Sequence, residues 1–130
     1  MASREENIEL VRAGYEAFNR RQFESALETA DETTTWRPFF SVETEQLVGK
    51  SAILAAWENQ SEMMDLRIDV DELIALDDTH VLAVATWTGR GAGSGAELSQ
   101  TNAQVFTVVD GRLRAVETYK SKGEAIAAVT

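Results

Sequence analysis

The sequence predicts an α+β fold in which helices gather on one face of a bent antiparallel sheet. Apolar residues recur every three or four positions over residues 8–18 and again over residues 23–30, which is the spacing of amphipathic helices. From residue 66 to residue 119, short turn signals separate strand-like runs, which alternate over residues 66–76 and are mostly apolar over residues 81–88. Helices that precede a run of strands indicate an α+β arrangement, and we expect residues 1–130 to form one domain.

Composition and charge exclude several classes of function. The chain has 12 Lys and Arg against 22 Asp and Glu, a formal charge of -10, which repels nucleic acid and anionic membranes. It has no cysteine, so neither a disulfide nor a thiolate zinc site can form. The longest apolar run, residues 81–87, is far shorter than the roughly 20 residues that span a bilayer. We expect a soluble, cytoplasmic protein without metal or cofactor.

The helices have recognisable starting signals. Ser3 and Glu6 form a capping box, so a first helix begins there and continues to about Phe18. Tyr15 lies on the apolar face of that helix, and a buried phenol needs a hydrogen-bond partner. Further helices are predicted over residues 23–30, over residues 51–63 and after a second capping box formed by Ser121 and Glu124.

The strands are predicted from alternation and from the residues between them. A short strand covers residues 33–39, where Pro38 limits it to an edge or an end. A longer strand over residues 66–76 is interrupted at Glu72, which indicates a bulge. After a turn at residues 77–80 come a strand over residues 81–88, a glycine-rich flexible connection over residues 89–95, and a hairpin of residues 98–109 and 112–119.

Three short motifs are suggestive but do not indicate a site. Gly49-Lys50-Ser51 resembles the end of a phosphate-binding loop, but Thr44 stands where that loop needs a glycine. The glycine run at residues 89–95 lacks the strand-then-helix setting of a dinucleotide fingerprint. His80 is the only histidine, and no second imidazole or thiolate lies near it in sequence, so we interpret it as a turn residue.

The register of the last hairpin decides which residues face the helices. A two-residue turn at Asp110 and Gly111 would place Glu117 beside Gln104. A three-residue loop with a glycine bulge would place Val116 beside Gln104 instead. A slip of one residue moves every side chain of the strand to the opposite face of the sheet. The residues alone leave both registers open.

The chain resembles the nuclear-transport-factor-2-like superfamily, and within it the polyketide-cyclase-like (SnoaL-like) branch. The resemblance covers essentially the whole chain and rests on the order and spacing of four segments, residues 10–19, 35–38, 48–57 and 105–113. It implies a cone-shaped, curved antiparallel sheet wrapped around the N-terminal helices, as in cystatin-like or NTF2-like α+β barrels, with a pocket inside. Many members dimerise through the outer sheet face, so the resemblance implies a homodimer.

The resemblance favours the bulged loop and so implies a set of pocket residues. Such a pocket is apolar with a few polar groups, which suits a hydrophobic, oxygen-bearing small molecule. Trp36 and Arg37 are adjacent on a strand, so only one of the two can point inward. The predicted ligand-binding residues are Tyr15, Trp36, Arg37, Trp57, Trp87, Asn102, Gln104, Phe106, Val116 and Thr118.

The same comparison shows that the acid and base residues of related enzymes are missing. Tyr15 matches the tyrosine that resembles the oxyanion donor of ketosteroid isomerases, but their base falls at Arg37 and their acidic donor at Gln104. Polyketide cyclases of the family carry an acidic residue at the position of Thr118. We therefore expect a binding protein. The alternative is an isomerase, cyclase or epoxide-hydrolase-like enzyme in which Tyr15 stabilises an oxyanion and Glu117 or Arg37 handles the proton.

Overall fold

The computed structural model describes residues 3–37, 46–91 and 97–129. Within these residues the six strands form one open, mixed sheet in the order β2-β1-β6-β5-β4-β3. None of the helices described is long and apolar enough to cross a membrane. The elements in chain order are α1 (Arg4–Asn19), α2 (Phe23–Ala26), β1 (Thr35–Trp36), β2 (Leu47–Val48), α3 (Lys50–Met63), β3 (Met64–Ala75), β4 (His80–Gly91), β5 (Glu97–Val109), β6 (Arg112–Tyr119) and α4 (Lys122–Val129).

Helix α1 begins at the predicted capping box and packs its apolar stripe against the sheet. The Ser3 hydroxyl accepts a hydrogen bond from the Glu6 N–H at 3.1 Å, and the Ser3 N–H donates to Glu6 Oε1 at 3.4 Å. Val11, Tyr15 and Phe18 are buried along one face of the helix, as their spacing predicts. The first helix of the prediction is confirmed.

The last residue of α1 binds the edge strand of the sheet. Asn19 Nδ2 donates to the Ile68 carbonyl at 2.8 Å, and the Ile68 N–H donates to Asn19 Oδ1 at 2.8 Å. One side-chain amide thus takes the place of a neighbouring strand at this position of β3. This pair fixes the end of α1 to the sheet.

Helix α2 and strand β1 are shorter than predicted. Helix α2 ends at Ala26, because the chain enters a turn at Leu27, although Leu27 and Ala30 are both buried as the helical spacing indicated. The predicted strand over residues 33–39 is paired only at Thr35 and Trp36, and Pro38 and Phe39 lie outside the described residues. Strand β2 was not predicted, since two residues are too few to show alternation.

The short strand β1 also changes the character of the sheet. It pairs in parallel with β6, with Trp36 opposite Val116, while β2 to β1 and β6 through β3 pair antiparallel. The predicted antiparallel sheet is therefore correct only for its longer strands. Because Trp36 shares the inner face with Val116, its neighbour Arg37 points to the opposite side.

The bulge predicted in β3 is present. The register shifts between Val70 and Glu72, so Val70 and Leu73 both pack against the core under α1. Beyond the shift, Ile74 packs on the other face of the sheet. The extra residue reconciles an apolar pattern that strict alternation could not satisfy.

The prediction of a flexible connection from residue 89 is wrong for its first three residues. Gly89, Arg90 and Gly91 belong to β4, and Gly89 pairs with Leu66 of β3. A Cβ placed on Gly89 would lie 2.5 Å from Met64 Sδ. A side chain at this position would therefore force the Met64 and Leu66 side chains to shift. Residues 92–96 lie outside the described part of the chain.

The last hairpin closes by the two-residue turn, so the predicted three-residue loop is wrong. Asp110 and Gly111 have φ values of 51° and 75°, which both positions of a type I′ turn need. The register then shifts between Thr107 and Val108, because Arg114 is an extra residue on β6. Gln104 consequently lies opposite Thr118, rather than opposite Val116 or Glu117. Because of the bulge, Val116 and Thr118 still face the helices, as the predicted three-residue loop would have placed them.

Helix α4 covers part of the outer face of the sheet. Leu82, Ala103 and Val105 point away from α1 and form a second apolar cluster with Ala125 of α4. Val105 is 4% exposed. The resemblance implied a dimer through the outer sheet face, and burial under α4 removes Val105 from any such contact.

The turn between β3 and β4 is organised around Asp77. Its Oδ1 accepts hydrogen bonds from the backbone N–H groups of Thr79 and His80 at 2.8 Å, and the His80 ring lies 2.8 Å from its Oδ2. Burial alone would raise the pKa of Asp77, but the Thr79 N–H and the His80 ring outweigh it and lower that pKa to about 2. His80 is thus a turn residue, as interpreted from the sequence.

We expect Asp77 to make the fold sensitive to acid. Its pKa is lower in the folded state, so its stabilisation is complete above the ordinary carboxyl pKa of about 4 and is lost as the pH falls toward about 2. Urea denaturation of the wild type and of Asp77→Asn between pH 5 and pH 2 measures this. The free energy of unfolding of the wild type should fall more steeply with acid than that of the variant. The difference between the two slopes should correspond to uptake of at most one proton per molecule on unfolding. Parallel curves would contradict the prediction.

Candidate functional site

Most of the aromatic side chains of the chain meet in one cluster between α1 and the sheet. Trp57 of α3 lies at its centre, with ring centroids 5.1 Å from both Phe18 and Trp36 in edge-to-face arrangements. Tyr15 meets Phe106 edge to face at 5.5 Å. The cluster consists of Tyr15, Phe18, Phe23, Trp36, Trp57, Trp87 and Phe106.

These rings leave only a small cavity. Its volume is about 30 Å³, roughly the share of one water molecule in the liquid, whereas pockets for drug-sized ligands measure about 300–1,000 Å³. The hollow centre that the family resemblance implied is therefore almost filled by aromatic side chains. The cavity is lined by Leu10, Val11, Gly14, Tyr15, Phe18, Ala26, Thr29, Trp36, Trp57, Ile68, Trp87, Phe106 and Leu113.

A chain of polar groups begins at the wall of this cavity. The Tyr15 hydroxyl donates to Gln104 Oε1 at 2.6 Å, and Gln104 Nε2 donates to Thr118 Oγ1 at 3.0 Å. Gln104 is 1% exposed. Burial raises the pKa of Tyr15 above its ordinary value, so the phenol is neutral near physiological pH. Tyr15 is therefore an uncharged hydrogen-bonding group.

A second buried amide lies two residues before Gln104. Asn102 faces the same side of β5, and its Oδ1 accepts a hydrogen bond from Trp87 Nε1 at 3.2 Å. Asn102 is 1% exposed, and its Nδ2 has no hydrogen-bond partner. A buried donor without a partner is unfavourable in an apolar interior. Asn102 belongs to the ligand-binding set predicted from the sequence.

Arg37 and Glu117 lie on the opposite side of the sheet from the cavity. Glu117 pairs with Val105, which packs under α4, and the Arg37 Nε donates to Glu117 Oε2 at 2.7 Å. Both side chains are about one-third exposed. The prediction that Arg37 contacts a ligand is wrong for this cavity, and Glu117 is not positioned to act with Tyr15 as a catalytic residue.

The structure thus separates the predicted site residues into three groups. Tyr15, Trp36, Trp57, Trp87 and Phe106 line the cavity. Four more, Asn102, Gln104, Val116 and Thr118, lie on the same face of the sheet without lining it. Arg37 and Glu117 face away.

Sequence reasoning missed several residues of the cavity wall. Gly14 is the most informative of them, because a glycine inside an amphipathic helix is unfavourable and indicates a close approach or an opening. Leu113 was missed because the bulge at Arg114 was not predicted. The spacing of Leu113 and Val116, two apolar residues three positions apart, was the available signal.

The family profile of the SnoaL-like domain matches residues 11–116. The chain belongs to the SnoaL-like family. That match spans the aromatic cluster and the polar chain from Tyr15 through Gln104. No curated protein is similar enough to add a functional comparison.

Solved structures share the fold of this SnoaL-like chain. A candidate polyketide cyclase from Xanthomonas campestris is 24% identical, with a TM-score of 0.81 over 99% of this chain and 100% of that one. An LEH-like epoxide hydrolase from M. tuberculosis is 16% identical, with a TM-score of 0.71 over 86% and 80%. TerC, co-crystallised with polyporic acid, is 19% identical, with a TM-score of 0.75 over 94% and 95%.

The described residues that line the cavity of this SnoaL-like domain are all uncharged. Among the described residues, its lining contains no Asp, Glu, His, Lys or Arg. No group of three or more His, Asp or Glu in the described part of the chain could hold a metal ion. The site can donate and accept hydrogen bonds and can pack against aromatic or aliphatic groups.

We expect Tyr15→Phe to lower the free energy of unfolding by about 1–3 kcal/mol, because the buried Gln104 Oε1 would lose its donor. Tyr15→Phe combined with Gln104→Leu should recover part of the loss, since both partners are then apolar. Urea denaturation of the wild type, both single variants and the double variant gives the coupling energy. A Tyr15→Phe variant as stable as the wild type would contradict this assignment.

Gly14→Ala should raise the free energy of unfolding by about 0.5–1 kcal/mol. An added Cβ would meet only the Ala26 carbonyl, at an ordinary 3.7 Å, and alanine favours the helix. The exposed neighbour Ala13 supplies the control, because Ala13→Gly should lower stability by a similar amount. Thermal denaturation measures both. Destabilisation by Gly14→Ala would show that the cavity wall has no room there.

Proposed function

We propose that this SnoaL-like protein binds a small, hydrophobic, oxygen-bearing molecule between α1 and the inner face of the sheet. Tyr15 is the observation that carries the proposal. Its ring lines the apolar cavity, and its hydroxyl begins the buried chain to Gln104 and Thr118. An apolar wall with a few placed polar groups is typical of small-molecule sites.

The cost of the buried amides supports a binding role. Packing alone would be satisfied by leucine or valine at the positions of Asn102 and Gln104, both of which lie among apolar residues of β4 and β5. Polar side chains in such a place are explained by recognition of a polar group. The co-crystallisation of TerC, which shares this fold, with polyporic acid also supports a small-molecule ligand.

The size of the cavity means that a ligand must displace aromatic side chains. A volume of about 30 Å³ admits no organic molecule larger than a few atoms. One side of the cavity is walled by the small residues Gly14 and Ala26, where α1 passes α2. We propose that a ligand enters there and that the tryptophan rings rearrange around it, which is population of a more open state.

Binding without catalysis fits the chemistry of the wall better than an isomerase, cyclase or epoxide hydrolase does. The enzyme alternative required Glu117 or Arg37 beside Tyr15, and both face away from it. The phenol of Tyr15 already donates a hydrogen bond to an amide oxygen. General acid–base catalysis needs a group whose pKa lies near the working pH, and the described lining has none.

Homodimerisation and a cytoplasmic location remain predictions. The part of the outer sheet face not covered by α4 includes Thr86, whose hydroxyl bonds Thr101 at 3.0 Å. A homodimer would use this remaining surface. Light scattering of the purified protein tests it, and a clean monomer would remove the proposal.

The three tryptophans that line the cavity provide the test of ligand binding. We expect cyclohexanone, a small oxygen-bearing probe, to shift the indole N–H signals in ¹H–¹⁵N spectra and to raise the melting temperature in a saturable way. Gly14→Leu fills the wall beside Ala26 and should weaken binding by about tenfold or more, equivalent to about 1.4 kcal/mol.

Ala13→Leu is the matched control, because Ala13 is exposed on the same helix and the added volume stays outside the cavity. It should bind the probe like the wild type. Non-saturable shifts, or equal affinity in Gly14→Leu and Ala13→Leu, would contradict a ligand site at this cavity.

A further inference from the structure

We infer that Asn102 selects the ligand by donating a hydrogen bond from Nδ2 to an acceptor oxygen of the ligand, such as that of a ketone or a cyclic ether. The inference rests on the proposed function and adds the chemical class of the ligand. It also assigns a specificity-determining role to a residue that does not line the cavity of about 30 Å³.

The orientation of the Asn102 amide follows from its neighbour. Trp87 Nε1 can only donate, so the atom of Asn102 that faces it at 3.2 Å must be the oxygen. Nδ2 therefore points away from Trp87. The side chain is almost completely buried, so bulk water does not satisfy that donor.

Asn102 Nδ2 is a buried hydrogen-bond donor without a partner on the inner face of the sheet. In the described part of the chain, the buried side-chain atoms without a partner are Asn7 Oδ1 and Asn102 Nδ2. Asn7 is an acceptor at the start of α1, where its own Nδ2 binds the Asp78 carbonyl at 2.9 Å. Both ends of the Gln104 amide are hydrogen-bonded, Oε1 to the Tyr15 hydroxyl and Nε2 to Thr118 Oγ1. A ligand that offers an acceptor completes the hydrogen bonding of this face.

Trp87 connects the cavity to Asn102. Its ring lines the cavity while its N–H holds Asn102, and it meets Phe18 edge to face at 6.0 Å. A molecule too large for the cavity must move one of the rings around it. Displacement of the Trp87 ring extends the space toward the Asn102 amide.

The same arrangement disfavours a hydrocarbon. A ligand without an acceptor would leave Asn102 Nδ2 unpaired in the site, and both ends of the Gln104 amide are already paired. A buried donor without a partner weakens binding, which is how sites discriminate between ligands with and without a polar group.

Three probes of similar shape test the inference: cyclohexanone, cyclohexanol and methylcyclohexane. Titration of the indole N–H signals in the wild type should show cyclohexanone and cyclohexanol each binding about tenfold more tightly than methylcyclohexane. Asn102→Leu should abolish that preference and leave the affinity for methylcyclohexane unchanged. Thr101→Val, which removes a polar group from the outer face of the same strand, should keep the preference of the wild type.

Two further measurements keep the test decisive if Asn102→Leu folds poorly after Trp87 loses its acceptor. Trp87→Phe combined with Asn102→Leu removes both partners of that hydrogen bond and should bind all three probes without preference. In the wild type, the Asn102 side-chain amide signals should shift with cyclohexanone and not with methylcyclohexane.

The outcomes separate the two proposals. Binding of all three probes with equal affinity in the wild type, or a preference for the oxygen-bearing probes that survives Asn102→Leu, would overturn the role of Asn102 and leave the binding function standing. Failure of every probe to bind the wild type would overturn the binding function and the inference with it.

Discussion

The bulge at Arg114 determines which side chains of β6 face the helices. The two-residue turn by itself would turn Glu117 inward beside Gln104, and a carboxylate would then stand near the phenol of Tyr15. One extra residue reverses that outcome and places Thr118 beside Gln104 instead. This single irregularity in strand pairing therefore keeps a carboxylate away from the described cavity lining, which is uncharged.

The interior combines tight aromatic packing with a few buried polar groups. The edge-to-face contacts of Trp57 with Phe18 and Trp36 fill the space that the cone-shaped fold would otherwise leave open. Packing of this kind contributes to stability through buried area and through ring–ring attraction. Any ligand must therefore compete with these ring contacts for the same volume.

Much of the fold could be predicted from the sequence, and the site only in part. Helical periodicity predicted α1 and α3, and interrupted alternation predicted the bulge in β3. In each case the apolar residues lie on one buried face of their own element. The inward faces of β4 and β5 followed from the family resemblance, which placed Trp87, Asn102 and Gln104 in the pocket. The bulge at Arg114 and the β1 pairing depend on contacts between distant segments, which local patterns do not report. The filled cavity was unpredictable for a related reason, since it depends on ring orientations in three dimensions.

The pairing of Asn19 with Ile68 has a consequence for the behaviour of the protein at high concentration. Strand β3 is the long outer strand of an open sheet, and such an edge offers unpaired backbone groups to a strand of another molecule. Asn19 occupies both the N–H and the carbonyl of Ile68, so a foreign strand finds no hydrogen bonds there. Together with the bulge a few residues later, the Asn19 amide disfavours pairing of β3 with a strand of another molecule.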